Sequence, residues 1–246
     1  MDKLIRGSII VRSALGFIAA GLLGGCGDSG RNPPPPEPPA AESVREPPTM
    51  AGIPEDSTPL VVFVGTSLTA GYGLPDPKLA YPALIQRKID SLGLGYRTVN
   101  AGVSGETSAG ALRRMGWVLD RGNIAVVMVE TGANDGLRGQ NPDSTRANIQ
   151  AIFDRVRALE PAPKLVLTGM EAMPNLGQAY ITKFRTLFPE LAQANGASFI
   201  PFLLEGVAGV DSLNQADGIH PTQRGQELVA ATVWKTIRPL LTAPSR

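Results

Sequence analysis

The sequence predicts an α/β fold: three layers, with a mostly parallel β-sheet covered by helices on both faces. Two observations carry that prediction. Short apolar runs alternate along the chain with segments of 3.6-residue periodicity, and polar, glycine-containing blocks stand where the runs end. The five runs are residues 60–64, 97–100, 124–130, 164–168 and 198–202. Leu60-Val61-Val62-Phe63-Val64 is apolar throughout and stops at Gly65, as a buried strand does. Residues 124–130 are rich in Val and Ile, and 97–100 is the least apolar of the set. Between the runs, Tyr81, Leu84, Ile85, Ile89 and Leu92 share one helical face. So do Ile149, Ile152, Phe153, Val156 and Leu159, and then Tyr180, Ile181, Phe184, Phe188 and Leu191. A last helix is expected from Thr222 to about Arg238, presenting Val229, Val233 and Ile237 and ending at Pro239. In such sheets ligands bind beyond the carboxyl ends of the strands, so the chemistry is to be sought there.

Composition narrows the functions. The 246 residues are 43% hydrophobic and 18% charged, an ordinary globular profile. A net charge of +1 and an aromatic content of 5% give neither a basic patch nor a stacking surface, which argues against a nucleic-acid partner. The chain has one Cys, Cys26, and one His, His220. That excludes an intrachain disulfide, a Cys-rich zinc site and a histidine pair for a metal. Any imidazole chemistry runs through His220.

The N-terminal region reads as an address. Lys3, Arg6 and Arg12 precede an apolar stretch from Ala14 to Leu23, too short to span a bilayer. Leu23-Gly24-Gly25-Cys26 follows and resembles the lipobox of bacterial lipoproteins. The resemblance implies a signal peptide over residues 1–25 and a lipidated Cys26 at the start of the mature chain. Residues 26–59 are Pro-rich, including four consecutive prolines from Pro33 to Pro36, and read as a polyproline-type tether. At ~3.1 Å per residue such a spacer reaches about 100 Å. The expected location is therefore exported and membrane-anchored, on the periplasmic or outer-membrane side in a Gram-negative cell, with residues 60–246 as the globular domain.

Four blocks in that domain carry chemistry. Gly65-Thr66-Ser67-Leu68-Thr69-Ala70-Gly71-Tyr72-Gly73 follows the first run, and Asn100-Ala101-Gly102-Val103-Ser104-Gly105-Glu106-Thr107 closes the second. Thr131-Gly132-Ala133-Asn134-Asp135 follows the third, and Asp217-Gly218-Ile219-His220-Pro221 precedes the last helix. Each alone is a weak signal and reads more readily as a turn or cap. Together, in this order, they resemble the SGNH (GDSL-type) hydrolases, and within them the arylesterase and acyl thioesterase/lysophospholipase branch. The resemblance spans roughly residues 60–241 and implies a flavodoxin-like five-stranded sheet.

The resemblance also implies roles. Ser67 would be the nucleophile, His220 its general base and Asp217 the residue that orients the imidazole. The backbone N–H groups of Ser67 and Gly105 and the amide of Asn134 would form the oxyanion hole. No metal or organic cofactor is implied. The expected partners are a small acyl ester and, through Cys26, a membrane; the chain is expected to act as a monomer. One departure stands out: the family's first block usually reads Gly-Asp-Ser-Leu, and here Thr66 takes the place of Asp. A neutral hydroxyl there changes the charge beside the nucleophile, so altered activity or specificity is expected. Gly136–Gln140 is expected as a loop that could act as a lid, and Met170–Leu176 as part of the pocket wall. Polysaccharide O-deacetylation and an inactive binding role are the alternatives. A nucleotide-binding role is poorer, because the first loop lacks a Walker lysine.

Overall fold

A computed structural model describes residues 58–242. Cys26, the expected signal segment and nearly all of the expected tether lie outside the described residues. Five strands form one sheet: β1 Leu60–Gly65, β2 Arg97–Gly102, β3 Ile124–Val129, β4 Lys164–Thr168 and β5 Ser198–Ile200. Their order is β2-β1-β3-β4-β5 and every pairing is parallel. This is the flavodoxin-like order, with its switch point between β1 and β3. All of β1 is buried, as its unbroken apolar run requires of a central strand.

The helices are α1 Ser67–Ala70, α2 Tyr81–Ser91, α3 Ser108–Leu119, α4 Ala133–Leu137, α5 Pro142–Arg157, α6 Gln178–Ala194 and α7 Gln223–Thr242. α2 packs on α7, while α3, α5 and α6 form a second group with α5 in the middle. Ile149, Ile152, Phe153 and Val156 of α5 are fully buried, as their spacing predicts. Each such side chain stabilises the fold by roughly 1.5–3 kcal/mol.

The structure corrects several boundaries. α3 was not expected. Its core face is Ala111, Met115, Val118 and Leu119, but Gly110, Arg113, Arg114 and Gly116 dilute the pattern between them. Leu92 lies at the C-cap of α2, half exposed, and is not part of the buried face. α7 begins at Gln223 and runs through Pro239 to Thr242. The missing Pro N–H is offset there by burial of Leu241 and by the Lys164 Nζ bond to the Leu240 carbonyl at 2.6 Å. β2 extends two residues further than its apolar run, to Gly102, and β5 stops at Ile200, before Pro201.

Candidate active site

Ser67 is the first residue of α1, separated from β1 only by Thr66, the N-cap. His220 comes from the turn before α7, 153 residues away in sequence, and its Nε2 lies 2.9 Å from Ser67 Oγ. His220 Nδ1 lies 2.6 Å from Asp217 Oδ2. A three-residue separation suffices because the other carboxylate oxygen, Oδ1, accepts the backbone N–H groups of Ile219 (2.9 Å) and His220 (3.0 Å). The carboxylate thus folds over its own turn. These bonds, the His220 N–H first and then its ring and the Ile219 N–H, hold the Asp217 carboxyl down to about 2. An ionised Asp217 accepts a hydrogen bond from Nδ1–H, which leaves Nε2 to accept from Ser67 Oγ. The turn is fastened to the first block by the Gln215 Nε2 bond to the Tyr72 carbonyl at 2.7 Å. The Tyr72 ring lies 4.7 Å from the His220 ring.

Gly105 and Asn134 line the same cleft as Ser67 and His220. Gly105 has φ +76, a conformation that favours glycine, and its carbonyl accepts from Arg138 Nη2 at 2.9 Å. Asn134 sits in the first turn of α4, just after β3, and donates one amide hydrogen to the Glu106 carbonyl at 3.0 Å. Beside it, the buried Asp135 accepts from Ser108 N (2.8 Å), Ser108 Oγ (2.5 Å) and Thr145 Oγ1 (3.1 Å). Asp135 therefore ties the segment after Gly105 to both α4 and α5.

A third cluster lies beneath the nucleophile. Glu130, immediately after β3, is fully buried. Its carboxylate accepts Thr66 N (2.7 Å), Thr66 Oγ1 (2.9 Å) and Thr69 Oγ1 (2.8 Å). Tyr81 OH lies 2.7 Å from Thr69 Oγ1. Burial pushes the Glu130 carboxyl up from 4.5 to about 7, against the opposing pull of the Thr66 and Thr69 donors. Gly65 makes room for the group: a Cβ there would fall 1.9 Å from Thr69 Oγ1 and 2.7 Å from Glu130 Oε2.

The cleft encloses about 610 Å³, within the usual range for small-molecule sites. Its lining also includes apolar side chains, Leu137, Met170, Met173, Phe202, Leu204 and Ile219. Met170 and Met173 thus shape the pocket as expected, whereas residues 136–140 differ from the expected loop. Gly136 and Leu137 belong to α4, Gly136 is buried, and the Gln140 carbonyl accepts from Tyr180 OH at 2.7 Å. Among the described residues, no group of three or more His, Cys, Asp or Glu side chains is placed to hold a metal.

Sequence reasoning did not single out Glu130, Asp135, Thr69 or Ser108. Glu130 carried a visible signal, a carboxylate closing an otherwise apolar run. Asp135 was disguised, because Asn-Asp after a strand also reads as an ordinary turn.

A model of the GDSL-like lipase/acylhydrolase family matches residues 63–228, which takes in all four blocks. Esterase TesA of Pseudomonas aeruginosa is 39% identical over 181 residues, covering 74% of this chain and 89% of that protein. The thioesterase 1/protease 1/lysophospholipase L1 of Escherichia coli K12 is 34% identical, over 74% of this chain and 84% of its own length. Among solved structures, the psychrotrophic esterase EstA from Pseudoalteromonas sp. superposes with a TM-score of 0.70 at 30% identity, covering 75% of this chain and 99% of that one. Sequence, fold and the order of the four blocks agree, and the chain belongs to the GDSL-like lipase/acylhydrolase family.

Proposed function

We propose that this protein is a serine esterase that hydrolyses short- to medium-chain acyl esters through Ser67, His220 and Asp217. The observation that carries the reading is the continuous relay from Asp217 to His220 to Ser67, at 2.6 and 2.9 Å, opening on an apolar cleft. His220 Nε2 takes the Ser67 proton as Oγ attacks the ester carbonyl. The N–H groups of Ser67 and Gly105 and the Asn134 amide stabilise the oxyanion. His220 then returns the proton to the leaving alcohol, and an acyl-Ser67 ester remains. Water, deprotonated by His220, attacks that ester through a second oxyanion and releases the acid. The apolar wall at Leu137, Met170 and Met173 suits the acyl chain. Relatives named as an esterase and a thioesterase/lysophospholipase support the same class of reaction.

Hydrolysis of p-nitrophenyl esters from acetate to palmitate by the full chain tests the reading, with Ser67→Ala as the control. We expect an optimum at short to medium chains and turnover at the background level in the variant. Undiminished turnover by Ser67→Ala would remove Ser67 from the mechanism, and a silent wild type on every ester would refute the esterase itself.

We also propose that Cys26 is lipidated and that it anchors the domain through the Pro-rich tether. Its support is that the chain's one cysteine directly follows Leu23-Gly24-Gly25. Cys26→Ser should abolish incorporation of labelled palmitate, and undiminished labelling of that variant would overturn the assignment.

A further inference from the structure

The nucleophile's turn is held from below by Glu130 in an unusual way. Thr66 is the N-cap of α1, yet its hydroxyl makes no capping bond. It turns instead to Glu130, as does the Thr66 backbone N–H. The Glu130 backbone N–H donates to the Val64 carbonyl at 2.8 Å, so this one residue grips the chain on both sides of Gly65. The next residue after Thr66 is Ser67, which supplies both the attacking oxygen and one oxyanion N–H in the proposed mechanism. A shift at Thr66 therefore moves two reacting groups together.

The donors around Glu130 suit its anionic form, which burial delays until the pH passes about 7. A backbone N–H and two hydroxyls converge on the carboxylate. An anion accepts all of them, whereas a carboxylic acid brings a further donor among donors. The charged and titratable neighbours do not supply that negative charge. On α2, burial and then the charge of Glu130 push the Tyr81 phenol well above its ordinary range, so it stays neutral. On α3, Arg114 reaches the Gly65 carbonyl at 3.3 Å and is paired with Glu106 at 2.7 Å.

We infer that Glu130 is a positioning residue for the nucleophile, holding the Ser67 turn as an anion, and that Thr66 is the substitution that lets this anion stand alone. The inference rests on the serine-esterase reading. An Asp at position 66, as in the usual family block, would set a second carboxylate against Glu130, and the two would share a proton. Thr66 donates in its place. The raised carboxyl, at about 7, puts the change of state within the working range of an esterase assay.

The test compares the full-length wild type with Glu130→Gln on p-nitrophenyl butyrate between pH 5.5 and 8.5, beside labelling of Ser67 by a fluorophosphonate. Gln imitates the protonated, neutral side chain. At pH 8 we expect kcat to fall about 10- to 100-fold with KM within about twofold, the scale set by a misplaced reacting group. The variant-to-wild-type ratio should climb towards one at pH 5.5, where both carry a neutral side chain. The ratio cancels ionisations common to both proteins, so a merely structural role leaves it constant with pH. A constant ratio, or a variant with wild-type kcat at pH 8, overturns the inference.

Thr66→Ser and Thr66→Val provide the second comparison should Glu130→Gln fail to fold. Ser keeps the donor and should retain wild-type kcat. Val removes it and should lower kcat, with the pH transition moved upward. Identical profiles for Ser and Val overturn the role of Thr66. A wild type that neither turns over ester nor takes the fluorophosphonate at Ser67 instead refutes the serine-esterase reading.

Discussion

Replacing Glu130 by Gln also changes how stability depends on pH, by an amount that follows from its burial. The folded protein keeps the Glu130 proton up to about 7, whereas an unperturbed carboxyl releases it at 4.5. Between those values the folded state binds more protons than the unfolded state, so raising the pH weakens the fold. That separation (7 − 4.5), at about 1.4 kcal/mol for each pH unit, amounts to about 3–4 kcal/mol. That contribution is fully present below 4.5 and gone above 7. Gln titrates nowhere in this range. Urea unfolding of both proteins at half-unit steps from pH 4.5 to 8 measures the difference, with equal m-values as the check on two-state behaviour. Wild-type stability minus variant stability should fall by about 3–4 kcal/mol up to pH 7 and then level off. Because the group is buried, salt should alter this little. A difference that is flat, or that rises with pH as for a carboxylate stabilised by the fold, would refute the account of the buried cluster.

Other outcomes follow from the remaining contacts. Asp217→Asn keeps the shape of the turn but reverses the demand on Nδ1, and kcat should fall on the order of 10³–10⁴-fold in steady-state assays. The lowered carboxyl of Asp217, about 2 against 3.8, contributes stability that is present above 3.8 and lost as pH falls towards 2. Acid unfolding of wild type and Asp217→Asn should therefore converge in that window. Asn134→Ala should lower kcat by about 10²–10³ with little change in KM. Asp135→Ala leaves buried Ser108 and Thr145 donors unpaired, and should lower stability by about 2–4 kcal/mol in urea unfolding.

The sequence made the sheet legible because its central strands are apolar on both faces, as Leu60 to Val64 and Ile124 to Val129 show. It made α5 legible through four fully buried side chains at helical spacing. α3 escaped because glycines and arginines interrupt its face. Pro239 misled in the other direction: local chemistry favours a helix end, and packing of Leu241 carries the helix past it. The candidate site divides similarly. Ser67, Gly105, Asn134, Asp217 and His220 could be named from motif order, and the structure brings them to one cleft. Glu130 showed as a carboxylate closing an apolar run, but its part and that of Asp135 were not legible, because they act through contacts 64 and 27 residues away. Such contacts exist only once β1, β3 and α3 are assembled.

β1 points from the chain's entry towards the cleft. Leu60 stands at its start and Gly65 at its end, next to the Thr66–Ser67 turn. At about 3.3 Å per residue those ends lie roughly 17 Å apart. Residue 58 therefore enters at the pole of the sheet away from the catalytic loops. A domain coupled through its N-terminal side to a bead or electrode would present its cleft outward, open to bulky esters, whereas coupling through the Tyr72 or Ile219 rim would close it.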